Sequence, residues 1–224
     1  MESERSRQPI SLDPVTIEVG RAVVEGSLEI PAGARGTILF AHGSGSSRFS
    51  PRNRFVAERL RSSGLGTLLA DLLTQDEDAD PETRFDIDFL TDRLERVTHW
   101  FRDTFPDVAV PIGYFGASTG AAAALRAAAE LGPAIGAVVS RGGRPDLAWE
   151  ILHRVSSPTL LIVGGADHPV LEWNRRAYER LPALKQFAIV PGATHLFEEP
   201  GALEEVARQA AAWFERFLAG AKRP

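Results

Sequence analysis

The chain has 224 residues, no cysteine and a formal net charge of -5 at pH 7. That length suits one domain, with a core large enough to need no covalent staples, and the missing cysteines exclude disulfides, thiolate metal sites and a cysteine nucleophile. The acidic balance argues against a nucleic-acid partner, which would want a basic face.

The N-terminal stretch MESERSRQPISLDP is polar and charged and lacks the apolar core of a signal peptide. An irregular segment is expected over residues 1–13, ahead of a single domain over 14–221. No apolar run approaches the roughly 20 residues that span a bilayer, so the expectation is a cytoplasmic protein without membrane contact. Val15–Val19 and Ala22–Ile30 read as strands, and Gly20-Arg21 between them makes a hairpin. After the turn cluster Pro31–Gly36, Thr37–Ala41 reads as a buried strand that runs into His42-Gly-Ser-Gly-Ser-Ser-Arg48.

From there the pattern alternates. Pro51–Ser62 is a helix with Phe55, Val56 and Leu60 on one face; Gly66–Leu72 is a strand; Thr74–Glu82 is an acidic surface loop. Thr83–Phe105 is a long amphipathic helix, Val108–Phe115 a strand and Ser118–Leu131 an alanine-rich helix. The strand Ala134–Ser140 and a short helix at Asp146–Arg154 follow. The chain then runs through Thr159–Val163 (strand), Val170–Leu181 (helix), Gln186–Val190 (strand) and Gly201–Leu218 (helix). Strand–helix alternation with continuously apolar strands implies an α/β fold, with a mostly parallel sheet covered on both faces. The opening hairpin adds antiparallel strands at one edge.

The sharpest motif is Gly116-Ala117-Ser118-Thr119-Gly120, a G-x-S-x-G between a predicted strand and a predicted helix. A serine on so tight a strand-to-helix turn takes a strained backbone. Residues two before and two after it crowd neighbouring backbone, which glycine tolerates. The hydroxyl then stands above the sheet at the positive end of a helix dipole. Ser118 is the expected nucleophile.

A serine hydroxyl needs a base, and the base an orienting acid. Downstream, Leu160-Leu-Ile-Val-Gly-Gly-Ala-Asp167 and Phe187-Ala-Ile-Val-Pro-Gly-Ala-Thr-His195 each run from a strand into a loop. Both residues therefore fall just past the C-terminal ends of parallel strands, where open sheets bind ligands. The order Ser, Asp, His is the one used by serine enzymes on such sheets. His195 is the expected base and Asp167 its acid, with Glu172 in reserve; the plainer reading of Asp167 is a cap on the following helix. His99 and His153 fall within predicted helices, His42 leads the first loop, and His168, beside Asp167, lines the cleft as a candidate substrate-binding residue.

An oxyanion also needs donors. The amide of Thr119, next after the serine, is one; Ser44 is the first choice for the second and Gly43 the next. Arg48, Arg52, Arg54 and Arg141 are cations suited to a substrate carboxylate or phosphate, against the plainer reading of surface solvation. Arg141, in Ser140-Arg-Gly-Gly-Arg-Pro145, stands out because that segment falls at the functional edge of the sheet.

On the segments FAHGSGSS, GYFGASTGAAAAL, AVVSRGGRPDLA, TLLIVGGAD and VPGATHLFEEPG, the chain resembles the dienelactone-hydrolase-like branch of the α/β-hydrolase superfamily from about Ile38 to Phe217. The resemblance implies an α/β-hydrolase fold of seven or eight strands, no cofactor and a Ser118–Asp167–His195 triad. Dienelactone hydrolases carry a cysteine nucleophile, and serine stands here, so the fold carries over better than the lactone substrate. The chain also resembles hydrolase modules fused to phosphoribosyltransferases, here expected to stand alone. Ser140–Pro158 is too short for a large lid, which implies an open cleft and a small soluble ester, thioester or lactone.

Two rivals remain. A non-catalytic binding module on the same fold would not need Ser118, Asp167 and His195 together. A dinucleotide-binding oxidoreductase would use Gly43-Ser-Gly45 and Asp71. Arg48 in place of the third glycine opposes it, as do the two β runs ahead of the loop. No H-E-x-x-H site and no P-loop is present.

Overall fold

A computed structural model describes residues 8–108 and 111–218. Eight strands form one sheet: β1 (Ile10–Val19), β2 (Ala22–Ile30), β3 (Thr37–Ala41), β4 (Gly66–Ala70), β5 (Ile112–Ala117), β6 (Ile135–Arg141), β7 (Thr159–Gly164) and β8 (Lys185–Val190). Their order across the sheet is β1-β2-β4-β3-β5-β6-β7-β8. β1 and β2 pair antiparallel with each other and β2 antiparallel with β4; every other pairing is parallel. This is the expected α/β-hydrolase fold.

Among the described residues there are seven α-helices: α1 (Pro51–Ser62), α2 (Gln75–Ala79), α3 (Pro81–Phe85), α4 (Ile87–Thr104), α5 (Thr119–Leu131), α6 (His168–Arg180) and α7 (Ala202–Leu218). α1 and α7 close one face over Phe40, Phe115, Val139 and Ile162. α4, α5 and the 3-10 segment Pro145–Arg154 close the other over Leu39, Tyr114 and Val138. Every residue of β3, β4, β5 and β7 is buried, as a sheet covered on both faces demands. Ala121–Ala124 and Ala127–Ala129 are all buried, and their small side chains let α5 lie close to the strands.

Several elements differ from the sequence expectation. β1 begins at Ile10, not Val15, so residues 10–12 of the expected irregular segment pair with β2, ahead of a register break before Val15; residues 1–7 lie outside those described. Residues 109 and 110 of the predicted strand Val108–Phe115 are also outside, and β5 begins at Ile112. The acidic loop expected over Thr74–Glu82 is instead two short helices. Thr74 and Glu77 form a reciprocal capping box, and Asp80 caps α3 through the amides of Glu82 and Thr83. The predicted helix Thr83–Phe105 is divided because the Asp86 carboxylate accepts from Phe89 N–H and starts α4 afresh. The segment after β6 is a compact 3-10 stretch with no large lid. No helix of the described residues is long and apolar enough to cross a membrane.

Candidate active site

Parallel strands deliver their C-terminal ends to one edge of the sheet. Ser118 follows β5, Asp167 lies in the loop after β7, and His195 in the loop after β8. Ser118 has φ 52° and ψ -121° and makes no capping bond to α5. A non-glycine residue held at positive φ costs roughly 1–3 kcal/mol, which surrounding packing must offset. The brace is visible: Ser118 N–H donates to Arg141 O at 3.2 Å, and Arg144 N–H donates to Ser118 O at 3.1 Å. The loop after β6 therefore clamps the serine turn from both sides of its peptide.

The glycines of the motif answer to close backbone approach. A Cβ on Gly116 would lie 2.8 Å from Ala121 N and 2.9 Å from Gly120 O. A Cβ on Gly120 would overlap the carbonyl oxygens of Ala41 and His42. Gly120→Ala is expected to push α5 off the end of β3, costing about 3 kcal/mol and lowering Tm by about 6–12 °C. A thermal melt checks this; a Tm within 2 °C of wild type would show that the contact relaxes at little cost.

The loops that carry the acid and the histidine are stitched together. Gly165 N–H donates to Val190 O at 2.8 Å and Ala166 N–H to Ala193 O at 2.9 Å. Gly164 permits the approach, since a Cβ there would meet the Ala193 and Thr194 carbonyls. As a result His195 Nδ1 lies 2.7 Å from Asp167 Oδ2, and His195 Nε2 lies 3.3 Å from Ser118 Oγ. The Asp167 side chain is 11% exposed and that of His195 39%. Asp167 occupies the N-cap position of α6 but makes no side-chain capping bond; its carboxylate goes to the histidine. Glu172, held in reserve, is exposed on α6. His168 is exposed at the start of the same helix, and His99 and His153 are exposed elsewhere.

Around the expected oxyanion donors the structure adds a detail. Ser44 N–H donates to Thr119 Oγ1 at 2.9 Å, and the Ser44 and Thr119 hydroxyls lie 2.9 Å apart. The Ser44 amide is thus engaged by a side chain of the serine turn. The Thr119 amide opens α5, where helix geometry supplies no carbonyl partner. Gly43 packs on the serine turn: a Cβ on it would stand 3.1 Å from Ser118 Cβ.

Arg48 corrects the expectation of a substrate-binding cation. It is 7% exposed; its Nε meets Asp71 at 3.1 Å, Nη1 meets Asp13 at 3.1 Å, and Nη2 pairs with Glu25. Three carboxylates from β1, β2 and the end of β4 surround it, so its charge is already compensated within the fold. The same knot fills Asp71, which also accepts Arg48 N–H at 2.8 Å. That removes the ribose-binding acid of the oxidoreductase reading. Arg54 donates to Arg48 O and Arg52 pairs with Glu198. Arg141 is buried at the end of β6.

Other supporting residues carried no sequence signal strong enough to single out. His42 is buried, and desolvation pulls its pKa below the usual histidine value. Its Nε2 accepts from Leu72 N–H at 3.2 Å and its Nδ1 donates to Gly43 O at 3.1 Å, so the neutral ring ties the loop after β3 to the end of β4. Glu199 Oε1 accepts from Thr194 N and Oγ1 at 3.0 and 2.6 Å; these bonds lower its pKa and brace the turn that holds His195. Asn174 Nδ2 donates to Gly143 O at 2.9 Å. Beyond Arg144, whose guanidinium lies 4.3 Å from the Trp173 ring centroid, Asp146, Trp149, Trp173 and Arg176 line a recess of about 190 Å³. Among the described residues no group of three or more His, Asp or Glu is arranged to hold a metal ion.

Comparison with known proteins places these features in a family. The model of the dienelactone hydrolase family matches residues 24–220. A crystal structure of a dienelactone hydrolase from Anabaena variabilis is 55% identical, with TM-score 0.90, over 94% of this chain and 99% of that one. Est1E from Butyrivibrio proteoclasticus shares the fold at TM-score 0.77 and 16% identity, over 92% of this chain and 99% of its own. A Mycobacterium tuberculosis protein that carries a phosphoribosyl transferase name is 54% identical over 213 residues, 95% of this chain. The chain spans about half, 48%, of the length of that relative.

Proposed function

Because this chain belongs to the dienelactone hydrolase family and is a hydrolase of the α/β-hydrolase type, we propose that it is a serine hydrolase, cleaving a small ester, thioester or lactone through an acyl-enzyme on Ser118. The observation that carries the reading is the hydrogen-bonded run from Ser118 Oγ through His195 to Asp167.

In this mechanism Ser118 Oγ adds to the acyl carbon while its proton passes to His195 Nε2. Asp167 keeps the proton on Nδ1 and stabilises the imidazolium. The Thr119 amide and the amide of Ser44, or of Gly43 beside it, stabilise the oxyanion. An oxygen that uses the Ser44 amide displaces the Thr119 hydroxyl from it, a rotation about one side-chain bond. His195 then returns the proton to the leaving alcohol or thiol. Water, deprotonated by the same nitrogen, clears the acyl group as a carboxylic acid. The short 3-10 stretch after β6, which forms no large lid, favours a compact substrate. We assign the transferase name of the mycobacterial relative to the half of its length that this chain does not match.

The test is intact mass after exposure to a fluorophosphonate, for wild type and Ser118→Ala side by side. One adduct on wild type and none on the variant is expected. A folded wild type that takes no adduct, or a variant that takes the same adduct, would remove Ser118 from the mechanism.

A further inference from the structure

We infer that Arg141 and Arg52 form a second site, separate from the nucleophile and its histidine, that takes an oxyanion: a carboxylate or a phosphate. The site itself does not depend on Ser118 being the nucleophile; only the ester measurement below does.

Arg141 ends β6 and pairs in register with Ala117 and Ile162. It therefore shares the face covered by α1 and α7, where Ile162 is buried. The residue is 7% exposed, and its Nε and Nη1 are buried with no hydrogen-bond partner. Among the described residues no carboxylate forms an ion pair with it within 4.0 Å; the Phe197 ring lies 5.9 Å from its Cζ to the centroid. Arg52 adds a like charge. It stands in the first turn of α1, a turn with no acidic residue. One of its nitrogens meets Glu198 at 3.0 Å, while its Nε is buried and unpartnered. Burial, and then the charge of Arg52, pull the Arg141 pKa down to about 10.

A guanidinium that has lost its water and gained no carboxylate is unfavourable. A second guanidinium and the positive end of a helix make it more so. A ligand bearing two or three oxygens reverses each of these terms, because the planar fork of arginine matches carboxylate and phosphate geometry. The position gives the site a consequence. Arg141 O accepts the Ser118 amide, and a Cβ on the adjacent Gly142 would lie 3.5 Å from His195 Cε1. An anion held there sits behind the Ser118–His195 pair, under the turn that carries the histidine. It arrives either as an acid group of the substrate or as a free ion.

Thermal melts of the whole chain, with sodium phosphate or acetate titrated against sodium chloride at matched ionic strength, test the binding. Wild type is expected to show a saturable rise in Tm of about 3 °C or more, absent in Arg141→Gln and reduced in Arg52→Gln. Without added anion Arg141→Gln is expected to melt no lower than wild type, since it removes an uncompensated charge. A variant melting well below wild type would make Arg141 a structural cation of the Glu199 turn and overturn the site. In parallel, kcat/KM is measured for 4-nitrophenyl acetate and for the mono-4-nitrophenyl ester of glutaric acid. If the substrate carries the anion, Arg141→Gln lowers the charged-to-neutral ratio by about tenfold or more. If a free ion fills the site, only the melts respond. No response beyond chloride together with an unchanged ester ratio would refute the site. Fluorophosphonate labelling of Ser118 in the same variant shows separately whether the nucleophile assignment stands.

Discussion

Ser118→Ala is expected to fold like the wild type and to lower kcat on 4-nitrophenyl acetate by about 10³–10⁶-fold. The substitution removes one oxygen and keeps Cβ, so the strained turn at φ 52° is neither relieved nor worsened. The hydroxyl makes no capping bond to α5; its contact is with His195 Nε2 at 3.3 Å, and the helix loses nothing with it. Circular dichroism and Tm should therefore match wild type while turnover falls. The residue of activity would come from the oxyanion donors and the bound geometry, which survive loss of the nucleophile. Turnover within tenfold of wild type, on a protein shown to be folded, would exclude an acyl-enzyme on this serine.

Asp167→Asn is expected to cost about 10⁴-fold in kcat with little change in KM. The carboxylate accepts from His195 Nδ1 at 2.7 Å and so leaves Nε2 as the lone-pair nitrogen facing Ser118. A carboxamide fills the same volume and can present its NH₂ to the ring, which places the imidazole proton on the wrong nitrogen. It also removes the negative charge that stabilises the imidazolium. Because Asp167 makes no capping bond to α6, stability should change little, and a melt within a few degrees of wild type separates the kinetic loss from misfolding. A variant that keeps a tenth or more of wild-type kcat would mean that another carboxylate orients the histidine, or that none is needed.

Much of the molecule was readable along the chain because its signals are local. The continuous apolar runs TILFA, GTLLA and TLLIVG became β3, β4 and β7 with every residue buried. A sheet covered on both faces has no polar side to interrupt them. The glycines flanking Ser118 were legible for the same reason, since the steric demand of the turn falls on residues two positions away. Two misreadings were also local: the box Thr74-Gln-Asp-Glu77 and the pair Asp80-Pro81 are helix starts that the acidic composition of the stretch concealed. The start of β1 at Ile10 is different. Ser11, opposite Glu29, is an exposed strand position recognisable only once β2 is beside it.

The arginines divide most sharply between what a sequence shows and what it hides. Four of them near strand ends read alike as cations for an acidic ligand. Folding gave Arg48 three carboxylates from Asp13, Glu25 and Asp71, residues spread along the chain, and left Arg141 with none. Which charges find partners depends on distances between segments far apart in sequence, and no spacing rule encodes these. The sequence by itself determined the strand-and-helix order, the strained serine turn, and the loops that carry Asp167 and His195, because periodicity and glycine placement act within a few residues. Only the tertiary structure decided that those two loops meet through Gly164 and the backbone of Ala193, that Thr119 engages the Ser44 amide, and that one buried guanidinium lies uncompensated behind the site. Close approach and desolvation are properties of surfaces brought together, and they come into being only when the sheet assembles.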